Sequence, residues 1–279
     1  MEDDLSDIAY NVRKRRRTAH AGRRLANDPL TRAYLEAGMR ILEQEFFEEN
    51  IAEDNMRRPL STLTREAVLA EAANGSDPLP IRPGEGSLRD RWEYFSDYIG
   101  DLVRYALRGS YWIPHLELAE SSVQLLHRSD VSFSAIVHEV AYQSAALGVD
   151  STASRFRFLV TAMADQNPTV QEALAGVYAK STNRWKIAYS AILADRGIKL
   201  RPGISLDEIT MILTAVAEGL GLRMVGDPSA PILDHHHRRA LLGQAAVAIF
   251  AACVDAGDGK HIDQVVDSLS GRVGDRSIS

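Results

Sequence analysis

Cysteine is almost missing from this chain. Cys253 stands alone among 279 residues, which excludes an internal disulfide and a cysteine-based zinc site. No apolar run approaches the ~20 residues needed to span a bilayer. The first residues are acidic and then basic, with no apolar segment behind them, so they do not read as a secretory signal. A cytoplasmic protein is the expectation. There is no G-x-S-x-G elbow, no Walker loop and no dinucleotide fingerprint. No convincing series of strands and no internal repeat is found. What remains is a succession of helical patterns, and the expected fold class is all-α.

Net charge is −6, so the whole molecule is not a basic nucleic-acid binder. The charge is unevenly placed, however. Arg13, Lys14, Arg15, Arg16 and Arg17, with Arg23 and Arg24, form a positive block with no acid inside it. Such a block self-repels and lacks a core-forming pattern, so residues 1–28 are expected to be a disordered basic arm. Two readings stand side by side. One is an arm along DNA phosphate or in the minor groove. The other is a solvated tail that pairs with its own acidic start.

Pro29 fits the first turn of a helix behind an Asn27 or Asp28 cap. Leu30, Tyr34, Leu35, Met39, Leu42 and Phe46 give that helix one apolar face, running to about Asn50. A short second helix is expected over Ser61–Ala72, capped by Thr62 or Thr64. Residues 74–85, NGSDPLPIRPGE, break helical structure. Gly86-Ser87 then opens a long helix reaching about Arg108, with Leu88, Trp92, Phe95, Ile99 and Leu102 as its stripe. Further helices are expected over 115–127, 132–147, 151–164, 169–195, 234–256 and 261–269.

The most informative stretch is Ile192–Asp227. Gly197 suits a left-handed helix stop, and Pro202-Gly203 cannot continue a helix. Ser205 with Glu208 forms a capping box for the next helix. That helix is apolar around its circumference, which implies burial on more than one face.

The RG-x-x-LRPG-x-S-L-x-E turn over 196–208 and the AEGLGLR run ending at Arg223 resemble the C-terminal regulatory domain of TetR-type transcriptional regulators. The resemblance implies an N-terminal three-helix, helix-turn-helix head over 29–108 and a larger helical ligand-binding and dimerisation domain over 109–270. A polar tail follows over 271–279. Gly86 to Trp92 falls on the family's recognition segment. On that alignment Trp92 is the buried aromatic. Thr64, Gly86, Ser87, Arg89 and Arg91 then belong to the DNA contact, supported by the basic arm. The helices over 169–195 and 234–256 take the family's dimer-interface positions. The implied partners are a double-stranded DNA operator, a second copy of the chain and a small-molecule effector. Two departures stand out. Residues 74–85 replace a tight turn, and Phe95 occupies the place of a phosphate-contacting lysine. Asp90 and Glu93 also put acid near the proposed DNA face, where it repels phosphate unless it reads a cytosine amino group.

Other chemical signals are weighed against plain structure. His138-Glu139 begins like a helical zinc-protease motif, but Tyr142 occupies the second ligand position. His235-His236-His237 reads as a solvated helix start, because consecutive helical side chains fan apart. Cys253 reads as a packing residue. No cofactor, metal or enzymatic activity is implied. Trp112, Tyr142, Phe156, Trp185 and Tyr189 are candidate lining for a pocket between helices, with core packing as the plainer reading. The alternative to a regulator is a TetR-like ligand-binding or interaction protein whose head does not bind specific DNA. An enzyme on a helical bundle has only the histidine signals behind it.

Overall fold

Leu5, Ala9 and Val12 recur at helical spacing, and all three are fully buried. They hold the N-terminal segment against the helices that follow. The computed structural model describes residues 4–14, 18–47, 60–75, 79–108, 117–122, 124–125, 132–149, 151–162 and 164–274. In chain order the helices are α1 (Tyr10–Lys14), α2 (Ala19–Ala26), α3 (Pro29–Phe47), α4 (Arg65–Ala73), α5 (Glu85–Arg91) and α6 (Phe95–Ala106). Then come α7 (Phe133–Val149), α8 (Thr152–Thr161), α9 (Pro168–Asp195) and α10 (Leu206–Gly226). A hairpin of β1 (Leu233–Asp234) and β2 (Arg239–Ala240) precedes α11 (Leu241–Cys253) and α12 (Ile262–Gly274). The chain is mostly helical, as the patterns implied.

It divides into two units. Unit 1 holds residues 1–112 and 151–177, and unit 2 holds residues 113–150 and 178–279. The expected boundary near residue 109 is therefore crossed by a return segment. The segment containing α8 belongs to unit 1, where Arg155 donates to the Phe46 carbonyl at 2.8 Å.

In unit 1 the expected disorder before residue 28 is corrected over the described part. Thr18 caps α2, and Asn27 accepts from the Leu5 N–H at 2.7 Å. Asn27 also donates to Asp4 at 2.7 Å. The basic run obscured the apolar spacing of Leu5, Ala9 and Val12. Arg15, Arg16 and Arg17 lie outside the described residues, as do the side chains of Arg13 and Lys14 at the end of α1.

α3 starts at Pro29, with Asp28 accepting from the Leu30 N–H at 2.9 Å. Leu30, Tyr34, Leu35 and Leu42 are fully buried along it. Thr64 caps α4 by accepting from the Ala67 N–H at 3.1 Å. The single long helix expected over 87–108 is broken into α5 and α6. The break is local chemistry. Trp92 and Tyr94 take extended backbone angles, and Asp97 accepts from the Tyr94 N–H at 3.3 Å to start α6. The turn places the indole of Trp92 in the core, 2% exposed.

In unit 2, Gly197 and Gly203 adopt φ of 61° and 81°, the left-handed angles that their turn requires. Ser205 and Glu208 form the capping box of α10. Arg201 of this turn is 6% exposed and binds Asp258 at 2.7 Å and the Ala252 carbonyl at 3.1 Å. It ties the start of α10 to the end of α11. α10 buries Ile209, Leu213 and Met224, but Met211 and Leu222 are 66% and 55% exposed. Among the described residues of this chain the helix is covered on one face only; the sequence expectation places its second face against another surface, such as another subunit. α10 is long and apolar enough to cross a membrane by length and composition. One face packs on α7 and α11, and most of this apolar stretch is left uncovered within the described chain.

The helix expected from Asp234 instead begins at Leu241, because 233–240 form the hairpin. His237 folds back on Asp234 through backbone and ring nitrogens at 3.0 and 2.7 Å. Arg238 turns the chain with a φ of 50°.

Candidate functional site

The proposed recognition segment is carried by α5, and its residues face two ways. Leu88 and Trp92 turn inward. The Trp92 ring meets Tyr34 and Tyr98 edge-on at 6.1 and 5.1 Å. Its indole N–H donates to Asp101 at 2.9 Å. Asp101 is fully buried and also accepts from the backbone N–H groups of Asn11 and Val12 at 3.0 and 3.3 Å. One carboxylate thus joins α1, α5 and α6. Burial pushes its pKa up to about 6, against the opposing pull of these donors and of Arg104.

Two of the expected DNA contacts are turned inward. Arg91 is 5% exposed. Its guanidinium donates to Thr31 at 2.8 Å, to the Ser87 carbonyl at 2.9 Å and to Asp28 at 2.5 Å. It therefore clamps α5 to the start of α3, and the expectation that it points toward DNA is corrected. Ser87 meets the Tyr34 hydroxyl at 2.7 Å and the Gly84 backbone at 2.9 Å. Its hydroxyl serves the fold as well.

The rest of the predicted set stays outward. Gly86 is exposed, and a side chain there would meet nothing within 4 Å. Arg89 is exposed and lies 3.6 Å from Glu85, which also pairs with Arg65 at 2.7 Å. Thr64 is exposed at the start of α4 with its oxygen already capping. Sequence reasoning did not single out Asp101 or Arg201. A lone Asp inside an apolar stripe, and an arginine beside Pro-Gly, were the available signals.

Unit 2 contains an apolar cavity of about 120 Å³ between α7, α9, α10 and α11. Ile136, Val140, Ile192, Leu213 and Phe250 form much of its wall. Trp185 and Tyr189, one turn apart on α9, line it with rings stacked at 5.7 Å. Part of the Tyr189 ring faces the cavity, and burial raises its phenol above the ordinary range.

Two of the five predicted pocket residues are thus in the cavity. Tyr142 is not: it packs with Ala141, Ala145 and Met224, and its hydroxyl meets His235 at 3.1 Å. Phe156 is fully buried in unit 1 on α8. Trp112 lies outside the described residues. An aromatic signals burial but not which core it joins.

The two motif fragments also find structural partners. Glu139 pairs with Arg238. That contact holds its carboxyl below the usual range. Among the described residues, no three His, Cys, Asp or Glu side chains converge as for a metal. No family model, curated protein or solved structure matches this chain.

Proposed function

We propose that the chain is a DNA-binding transcriptional regulator of TetR type, acting as a homodimer and controlled by a small molecule in unit 2. The observation that carries this reading is α5. It is a short helix after α4, anchored inward by Leu88 and Trp92, with Gly86 and Arg89 left outward. That is the division of labour a recognition helix needs, with an apolar anchor behind and donors in front. Arg89 and Thr64 are the contacts proposed from the described residues, and the basic run Arg13–Arg17 adds sequence-blind attraction to phosphate.

The exposed apolar side chains of α10 and α11, including Met211, Leu222 and Leu241, support a second copy of the chain as partner. Such residues are depleted of water contact when they sit at an interface. The cavity supports a small-molecule effector. A ligand bound better by one arrangement of the dimer than by the other shifts the population away from the DNA-competent form.

The second reading is a ligand-binding protein whose head does not read DNA. It is favoured by the inward Arg91 and Ser87 and by the exposed Asp90 and Glu93 beside Arg89. Salt-titrated capture of genomic fragments, followed by sequencing, separates the two. The regulator enriches a palindromic site whose affinity falls steeply as salt rises. Retention that is sequence-blind and vanishes when Arg13, Lys14, Arg15, Arg16 and Arg17 are changed to glutamine supports the second reading.

A further inference from the structure

The cavity in unit 2 has a chemistry narrower than that of a general effector site. None of its lining residues carries a charge. An ionised group placed there finds no counter-charge, and burying a bare charge costs far more than such a site returns. The polar groups along the wall divide into two sets. Ser122 and Thr214 are spent within their own helices, donating to the Leu118 and Thr210 carbonyls at 2.5 and 2.9 Å. The Trp185 indole N–H and the hydroxyls of Tyr189 and Ser144, by contrast, make no hydrogen bond to any described residue. None of these atoms is fully enclosed by protein, so each keeps surface for a partner, and an indole N–H only donates. The complement of idle donors is an acceptor.

Size sets a further limit. A closed cavity of about 150 Å³ holds a benzene ring, and this one is about 120 Å³ and partly open, so a single six-membered ring with one small substituent is the upper limit. We infer that unit 2 binds an uncharged, compact, mostly apolar molecule carrying one hydrogen-bond acceptor of the carbonyl class, held by Trp185 and Tyr189 against the aliphatic wall. This deepens the effector role proposed above and takes its biological meaning from it. The binding itself is independent of DNA.

The test uses the full chain and ligand-observed NMR titrations with cyclohexanone, toluene, benzoate and benzylammonium. Cyclohexanone supplies the acceptor, toluene has none, and the last two carry opposite charges. Cyclohexanone is expected to bind, toluene to bind more weakly, and neither ion to bind. Tyr189→Phe, which removes the hydroxyl and keeps the ring, weakens cyclohexanone about fivefold, the factor that one neutral hydrogen bond is worth, and leaves toluene unchanged. Ala217→Leu, which fills the cavity from α10, abolishes both.

Equal binding of an ion overturns the inference. So does failure of both neutral probes with a folded chain, or binding that survives in a folded Ala217→Leu variant. A chain that binds cyclohexanone but enriches no DNA keeps this inference and loses the regulator. A chain that enriches an operator but binds neither neutral probe does the reverse.

Discussion

Every one of the largest fully buried side chains, among them Trp92, Tyr34, Tyr98, Tyr105, Phe156 and Leu102, lies in unit 1. That unit is also cross-tied by polar groups. Asp101 takes three N–H groups, Arg91 makes three bonds, and the Tyr98 hydroxyl donates to the Tyr34 carbonyl at 2.9 Å. Unit 1 has a polar cleft of about 490 Å³ lined by Glu36, Arg40, Glu43 and Arg108, and it exposes Ile81 and Tyr94. Unit 2 has an apolar cavity instead, and its exposed apolar side chains, Met211, Ile212, Leu222, Leu241 and Ile187, are concentrated on its helices. A rigid unit suits a surface that must present fixed side chains. An apolar cavity with apolar helix surface outside it suits ligand capture and pairing.

The sharpest way to break this contrast is at Asp101. Asp101→Ala strands the Trp92 indole and two backbone donors in the core, and is expected to destabilise unit 1 by about 3–5 kcal/mol. Urea unfolding followed by tryptophan fluorescence reads it, and a loss below ~1 kcal/mol contradicts the hub.

The same carboxyl carries a pH signature. Its pKa is about 6 in the fold against 3.8 ordinarily. A raised value means a contribution that is fully present below pH ~4 and lost as pH rises through 6. The stability of the native chain minus that of Asp101→Asn should therefore fall on going from pH 4 to 7, by on the order of 3 kcal/mol at most. A difference that rises over this window contradicts the assignment.

Glycines probe the packing contrast with smaller effects. A methyl at Gly38 on α3 collides with the Tyr98 hydroxyl and approaches Leu102 at 2.8 Å, so Gly38→Ala costs about 2 kcal/mol. A methyl at Gly219 on α10 meets nothing within 4 Å. Gly219→Ala is then neutral or stabilising by up to ~1 kcal/mol, because helix interiors disfavour glycine. Equal costs at the two sites would contradict the close approach of α3 to α6 at Gly38.

What could be read from the chain was what short-range chemistry determines. The Ser205–Glu208 capping box, the Thr64 cap and the left-handed Gly197 are set within a few residues, and each appears in the fold. The apolar face of α3 followed from spacing alone. The failures were tertiary. Leu88, Trp92 and Phe95 continue a helical stripe through the α5–α6 break, and only Asp97 three residues after Tyr94 marked a new start. Arg91 looked like a phosphate contact because its partners, Asp28 and Thr31, lie some sixty positions away. The hairpin at 233–240 carries no apolar alternation, so three histidines were taken into a helix. The cavity was legible only as a class of aromatics, since spacing does not say that Trp185 and Tyr189 share a space that Phe156 never enters.

The central claim is that the outward face of α5 touches DNA while its inward face holds the head together. It is tested by the salt dependence of binding to an enriched genomic fragment, compared between the native chain, Arg89→Ala and Arg91→Ala. Arg89→Ala should lower the slope of log affinity against log salt by about one, the value for one lost phosphate contact. Arg91→Ala should lower unfolding stability and leave the slope of the folded fraction unchanged. Equal slopes for the native chain and Arg89→Ala, or a slope lost with Arg91 instead, would contradict the account.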